Sequence, residues 1–210
     1  TGTDPFDGKT VTFYSKIDTT AKECHIVNPP GAERDFSGVE LTLNKRFSHG
    51  WALNTSYVYG KSTGLISLGR VGSALGTSSL FQDPNAHVNA YGTLDLDSRH
   101  QFKAQGLWAA PLGINLSGYF RFLSGGTYTR TVTSRFLGVP VSQSRGGAVV
   151  NAEERGSRRL PDTVQLDLRL EKAFKIKNVT LSAFADCFNV FNQGVATTVW
   201  TNSSNPTYEF

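Results

Sequence analysis

The 210-residue sequence contains no methionine and only two cysteines, Cys24 and Cys187. A disulfide framework needs several cysteines at close spacing, so both are expected to be free thiols. The pairs that hold a metal, such as Cys-x-x-Cys or His-x-x-x-His, are also missing, and no metal or cofactor is expected. No apolar run approaches about 18 residues, which excludes a transmembrane helix. The net charge is +4, and the basic residues are scattered except for Arg155, Arg158 and Arg159. Without a basic stripe interleaved with stacking aromatics, no nucleic-acid partner is expected. There is neither a Gly-x-Ser-x-Gly elbow nor a phosphate-cradling glycine loop. Asp95, Asp97 and His100 gather near one strand end, but Asp97 and His100 have opposite parity, which argues against a catalytic dyad and for a protein that is no enzyme. No charged segment with an apolar stretch behind it precedes the opening residues, so the chain reads as a piece of a longer or processed protein.

What the sequence does have is alternation. Val39, Leu41 and Leu43 hold one parity while Glu40, Thr42, Asn44 and Arg46 hold the other. After Ser48-His49-Gly50 the pattern resumes, with Trp51, Leu53, Tyr57 and Tyr59 against Ala52, Asn54 and Ser56. A period of two is a strand with one apolar and one polar face. The aromatics fall at the strand ends: Phe47 and Trp51 bracket the turn, Tyr57 and Tyr59 lie at the far end. At about 3.3 Å per residue and a tilt near 40°, Trp51 and Tyr59 differ by roughly 20 Å in height, which approximates the apolar band of an outer-membrane barrel between two aromatic girdles. Only every second residue of such a wall must be apolar, which suits a hydrophobic content of 39%.

The rest reads as further hairpins. Residues 9–17 alternate Val11, Phe13, Ser15 and Ile17 and form a first expected strand, followed by a loop broken at Asn28-Pro29-Pro30-Gly31. Residues 62–95 are rich in Gly, Ser, Ala and Asn and carry no sustained period. Residues 97–110 place Phe102, Ala104, Gly106 and Trp108 on one parity. Pro111-Leu112-Gly113 then turns the chain into Ile114, Leu116, Gly118, Phe120 and Phe122. After a second long loop, residues 162–174 set Val164, Leu166, Leu168 and Leu170 against Gln165, Asp167, Arg169 and Glu171. A turn at residues 175–178 leads into Val179, Leu181, Ala183 and Ala185.

Breaks of about three or four residues thus alternate with loops of roughly 17 to 35, as in a barrel with short periplasmic turns and long extracellular loops. The expected fold is all-β: an antiparallel up-and-down transmembrane β-barrel segment of about seven long strands, embedded in the lipid of the bacterial outer membrane. Free sheet edges are not tolerated in hydrocarbon, so seven strands cannot be the whole barrel. The membrane girdles are expected at Phe47, Trp51, Tyr57, Tyr59, Trp108, Phe120, Phe122 and Phe174. Glu40, Asn44, Arg46, Gln165, Asp167, Arg169 and Glu171 are expected to face the lumen. There they either dock a plug or line a permeation path, or they form a solvated wall with cross-strand ion pairs. Leu41-x-Leu43-x-Lys45-x-Phe47 is echoed by Leu168-x-Leu170-x-Lys172-x-Phe174. Each lysine has the lipid-facing parity one step from a turn, where it can snorkel to the interface.

Several segments together resemble the C-terminal part of a TonB-dependent outer-membrane receptor, of the Oar-like group that carries a carboxypeptidase-regulatory-like domain. They are Ser37 to Phe47 with Gly50-Trp51, Asp97 to Phe102, Ser117-Gly118-Tyr119-Phe120 with Ser124-Gly125, Leu166 to Phe174, and Phe188-Asn189-Val190-Phe191-Asn192. The last looks like part of the family's penultimate strand. The resemblance covers about Gly8 to Asn192 and lies more in the order of the motifs than in any one of them. It implies a barrel of about 22 strands plugged by the receptor's own N-terminal domain, driven through TonB to import a scarce nutrient. The plug and the TonB box are not in this sequence, and residues 205–210, ending in Phe210, read as loop where the family has a final strand. Residues 1–210 are therefore expected to be one partial barrel. The alternative left open is a small self-contained barrel that anchors or adheres.

Overall fold

A computed structural model describes residues 1–15, 17, 33–65, 84–95, 97–141, 147–199 and 201. Six long strands dominate: β3 (Arg34–Ser48), β4 (Trp51–Gly64), β6 (His100–Ala110), β7 (Ile114–Leu123), β12 (Thr163–Ile176) and β13 (Val179–Cys187). They lie in one antiparallel sheet in the order β13-β12-β7-β6-β4-β3, and β5 (Gly92–Thr93) adds a seventh, two-residue strand against the end of β4. Neighbours in the sheet are neighbours in the chain, which is the up-and-down topology. The long strands run from 9 to 15 residues, against the 9–11 or so needed to cross a bilayer at a tilt. Among the described residues no helix is long and apolar enough to cross a membrane.

The turns at one end are tight for identifiable reasons. His49 and Gly50 both have positive φ, the pattern that matches the twist of a two-residue hairpin. A register shift between Lys45 and Ser48 precedes them. Pro111 starts the second turn and Leu112 and Gly113 close it with positive φ. The third turn is shorter than expected: Lys175 and Ile176 remain in β12, and Ile176 pairs directly with Val179. Only Lys177 and Asn178 lie between, with Lys177 at φ 54°.

The register keeps the alternation in phase across the whole sheet. Leu41 stands opposite Tyr57, Tyr57 opposite Phe102, Phe102 opposite Phe122 and Phe122 opposite Val164. Nearer the turns Lys45 pairs with Leu53, Leu53 with Gly106, Gly106 with Gly118, Gly118 with Leu168 and Leu168 with Cys187. One face is therefore apolar from edge to edge, and it is bare. Val39, Leu41, Leu43 and Leu181 each leave between 58% and 62% of their surface open, far more apolar surface than a water-soluble sheet presents.

The buried core lies elsewhere, among the loops at the opposite end from the turns. Val11, Val132, Val150 and Ala152 form it, with Phe13, Val88 and Leu137 packed against them. These come from β2 (Thr10–Val11), β9 (Thr131–Thr133) and β10 (Val149–Asn151), with a short 3-10 turn at Pro84–His87 nearby. Two further short ladders belong to this unit. β1 (Gly2–Thr3) pairs with β2, and β8 (Thr127–Tyr128) pairs with β11 (Arg158–Arg159).

Three expectations are corrected here. The strand over residues 9–17 is reduced to Thr10–Val11, because Val11 and Phe13 are drawn into the loop core and the Tyr14 amide is held by the Asn85 side chain at 2.7 Å. The strand expected from residue 97 starts at His100, because Asp97 is buried and bonded by its side chain rather than by a ladder. The loops expected to be long and structureless are ordered around their own core wherever they are described. Cys187 is a free, exposed thiol. Cys24, the breaker Asn28 to Gly31 and the tail 205–210 lie outside the described residues.

The two faces generate a direct test. Leu168→Arg, in the middle of the apolar face, should impair assembly of the full-length protein into outer membranes, at a cost of about 2–4 kcal/mol for an arginine at the bilayer midplane. Gln165→Arg, on the other face, should assemble nearly as well as the parent. Heat-modifiable mobility on gels reads both, and equal effects would remove the assignment of faces.

Candidate functional site

The polar face is built in rows, because each strand contributes every second residue at a common height. Asn44 pairs with Asn54, Asn54 with Gln105, Gln105 with Tyr119 and Tyr119 with Asp167. One step toward the loops, Thr42, Ser56, Lys103, Arg121 and Gln165 form a second row. One step toward the turns, Ala52, Leu107, Ser117, Arg169 and Asp186 form a third. The face bends around a concavity of about 710 Å³.

Of the seven residues expected on this face, Asn44, Arg46, Asp167 and Arg169 line that concavity. Glu40 lies toward the loops opposite Val58, Gln165 lies opposite Arg121, and Glu171 sits toward the turns between Asn115 and Phe184. Arg46 falls within the register shift of β3 and has no ladder partner. The Arg169 guanidinium donates two bonds to Asp186, Nε to Oδ1 at 2.6 Å and Nη2 to Oδ2 at 2.8 Å, and its Cζ lies 4.8 Å from the Phe184 ring centroid. This is a cross-strand pair of directly opposed residues. The Asp167 carboxylate accepts from Gln165 Nε2 at 2.9 Å and from the Asn189 amide at 2.8 Å. It thereby pins the chain where β13 ends, and there Asn189 and Asn192 both take positive φ. The segment Phe188 to Asn192 thus leaves the regular ladder, and a single backbone bond from the Val190 amide to the Leu166 carbonyl rejoins it.

On the apolar face the expected aromatics form two groups. Trp51 and Trp108 are opposed across β4 and β6 near the turns, and Phe174 lies toward the same end, opposite Leu181. Phe47, expected in this girdle, falls in the register shift of β3 and instead lines the concavity of the polar face beside Arg46. Toward the loops, Tyr57 and Tyr59 stand opposite Phe102 and His100, and Phe122 lies opposite Phe102. Phe120 tilts against Phe102 at 5.9 Å between centroids. His100 joins this group by a bond between its Nδ1 and the Tyr57 hydroxyl at 2.8 Å and by a ring contact with Tyr59 at 5.2 Å. Phe102 and His100 were missed in the girdle because only the cross-strand register places them among the other rings.

The echoed lysines both reach the turns. Lys45 Nζ donates to the carbonyls of Ser48 and Trp51, each at 3.0 Å, and lies 3.9 Å from the Trp51 ring centroid. Lys172 Nζ donates to the carbonyl of Leu112, in the neighbouring turn. The apolar stems remain on the apolar face while the charges move to its rim, as snorkelling requires.

Arginines organise the loop end. Arg130 meets Asp4 through Nη1 to Oδ1 at 2.9 Å and Nη2 to Oδ2 at 2.7 Å, with side chains only 3% and 0% exposed. Glu153 accepts from the Arg130 amide at 3.2 Å and from Arg158 Nε at 2.7 Å. Buried Asp97 accepts from the Ser62 amide at 2.8 Å, Arg159 Nη2 at 2.5 Å and Arg99 Nη2 at 3.2 Å. Arg155 reaches the Leu65 carbonyl at 2.8 Å and Asp95 at 3.3 Å. The basic cluster read from the sequence therefore stitches loops together. Asp97 and His100, considered for a dyad, are engaged with different partners.

Residues 19–153 match the family model described as outer membrane beta barrel domain. Among solved structures, the outer membrane transporter YddB from Escherichia coli is similar with a TM-score of 0.49 and 14% identity, over 78% of this chain and 22% of that one. The chain thus spans about a fifth of that transporter's length. No curated protein matches the sequence.

Two outcomes follow for the loop unit. Partial burial works to raise the Glu153 carboxyl, but the bonds from Arg158 and the Arg130 amide prevail and hold it below its ordinary value of 4.5. A lowered carboxyl contributes stability that is complete above that ordinary value and is lost as pH falls through the lower folded one. Proteolysis of the loops should therefore accelerate as pH drops beneath about 4.5, and Glu153→Gln should flatten that acid dependence. Arg130→Met should loosen the same unit at neutral pH by about 3–5 kcal/mol, because it leaves the buried Asp4 carboxylate uncompensated. Hydrogen exchange at Val132 and Val150 measures that loss, and the central amides of β7 should be unaffected.

Proposed function

Because this chain belongs to the outer membrane beta barrel domain family and lies in the bacterial outer membrane, we propose that it is a stretch of the wall of a TonB-dependent transporter of the Oar-like group, importing a scarce nutrient. In this reading the apolar face meets lipid between the two aromatic groups. The polar face lines the lumen and receives a plug domain of the same protein, the tight turns face the periplasm, and the loop unit faces outward. The protein acts as a passage and not as an enzyme.

The observation that carries the reading is the open concavity on the polar face. A barrel wall presents one apolar face to lipid and a polar face to its lumen, and a barrel of about 22 strands leaves a lumen that a separate domain plugs. Here Asn44, Asn54, Gln105 and Tyr119 stand in a row beside about 710 Å³ of open space. The ordered motifs of the sequence, from Ser37 to Asn192, add the TonB-dependent character.

A second reading has one observation of its own. The loop unit has a core and exposes Phe6, Tyr91 and Phe136, as an adhesive surface on a small anchoring barrel would. Deletion of the gene separates the two. Under the transporter reading, uptake of at least one member of a panel of labelled ferric chelates, cobalamin, oligosaccharides and peptides is lost, and loss of TonB reproduces the defect. Unchanged uptake with lost surface attachment would instead establish the anchor.

A further inference from the structure

The second row of the polar face holds two cations side by side. Lys103 of β6 and Arg121 of β7 are directly opposed residues of adjacent strands. Like charges in that position repel and destabilise a ladder unless something neutralises them. Their surroundings on the same face do not. Lys103 has Ser56 as its other cross-strand neighbour and Arg121 has Gln165. Gln105 and Tyr119 occupy the adjoining row toward the turns and Gln101 and Leu123 the one toward the loops, where Glu40 stands two strands away from Lys103 and forms no ion pair with it. Asp167 is the carboxylate of that row, and it is committed to Gln165 and the Asn189 amide. Arg121 Nε is buried and has no hydrogen-bond partner. A buried donor left unbonded costs free energy, more so when it is charged.

We propose that Lys103 and Arg121 form a receptor for an anionic oxygen group, a carboxylate or phosphate. It would be held by the ammonium and the guanidinium together. A planar guanidinium fork beside a mobile ammonium binds such a group with charge-assisted bonds. The anion gives the Arg121 guanidinium an acceptor and removes the repulsion between the two strands. It arrives either on a protein segment that fills the lumen or on a solute in passage. The inference rests on the polar face being the inner face, and its tests require no transport, so failure of nutrient uptake and failure of this site are distinguishable.

Two measurements on the full-length protein decide it. The first is zero-length carbodiimide coupling of the unsubstituted protein in outer-membrane vesicles, with peptide mapping by mass spectrometry. A bond from Lys103 to an aspartate or glutamate outside residues 1–210 assigns the anion to a protein segment. The second is calorimetric titration of the purified protein with inorganic phosphate. Binding that falls about tenfold or more in Lys103→Gln/Arg121→Gln, as expected from loss of a charge-assisted bond, and persists in Lys175→Gln/Lys177→Gln assigns it to a solute. Coupling of Lys103 to Asp167 or another carboxylate within residues 1–210 overturns the proposal. So does the absence of foreign coupling together with no phosphate binding, or with phosphate binding that the double substitution leaves intact. The coupling arm uses no variant and stands even if the double substitution prevents assembly.

Discussion

Hydrocarbon offers no water to a peptide group, and every other feature of this chain follows from that constraint. Each N–H and C=O that crosses must be bonded within the protein, which permits a laddered sheet and forbids a frayed one. The ladder fixes a period of two, and the period divides every strand into two environments. Once Ile176 pairs with Val179 and Trp51 with Trp108, the side chains of six strands sort without further freedom. Val39 and Leu181 at opposite edges fall on one face, and Asn44 and Asp186 on the other. The same requirement makes β3 and β13 incomplete as edges, since their outward backbone groups need further strands.

A wall whose solvent is lipid does not need a core of its own. Leu41, Leu43 and Leu170 are exposed here in a way that would aggregate a soluble sheet, and they are the residues that a bilayer covers. The loops stand in water and face the opposite problem. They must bury apolar groups among themselves, and they do so with Val11, Val132, Val150 and Ala152. So small a core orients little by itself. Direction comes from arginines that each bind several segments, as Arg159 does in holding Asp97 and the Gly125 carbonyl at once. Stability is thus supplied by lipid contact in one half of the chain and by ion pairs around a few valines in the other.

Much of the wall was legible because its alternation is enforced by two solvents. The turns at His49-Gly50 and Leu112-Gly113 were legible because glycine marks positive φ, while Lys177 gave no such sign and its turn was read too long. Residues 9–17 show where the reasoning fails. Val11 and Phe13 alternate because both point into the loop core, so periodicity there reports burial and not membership of the sheet. The loop unit itself was invisible, since its contacts join Asp4 to Arg130 across most of the chain and no local pattern encodes that distance. Asp186, by contrast, could have been found. Counting back from a two-residue turn at Lys177-Asn178 places it opposite Arg169, and the four-residue turn expected there shifted that count.

The segment Phe188 to Asn192 links the wall to its charge balance. Its likeness to a familiar strand led to the expectation of continued ladder, yet Asn189 and Asn192 adopt left-handed backbone, which asparagine tolerates better than most residues. The backbone groups freed by that departure need acceptors, and Asp167 supplies one to the Asn189 amide. A carboxylate that parity alone assigns to the inner surface as a free charge is therefore employed in holding a strand end. Its withdrawal leaves Lys103 and Arg121 with no carboxylate bonded to them, on a face where Arg169 has already taken Asp186. The charge balance of the polar face thus depends on a backbone irregularity at its edge as well as on the number of charged residues it carries.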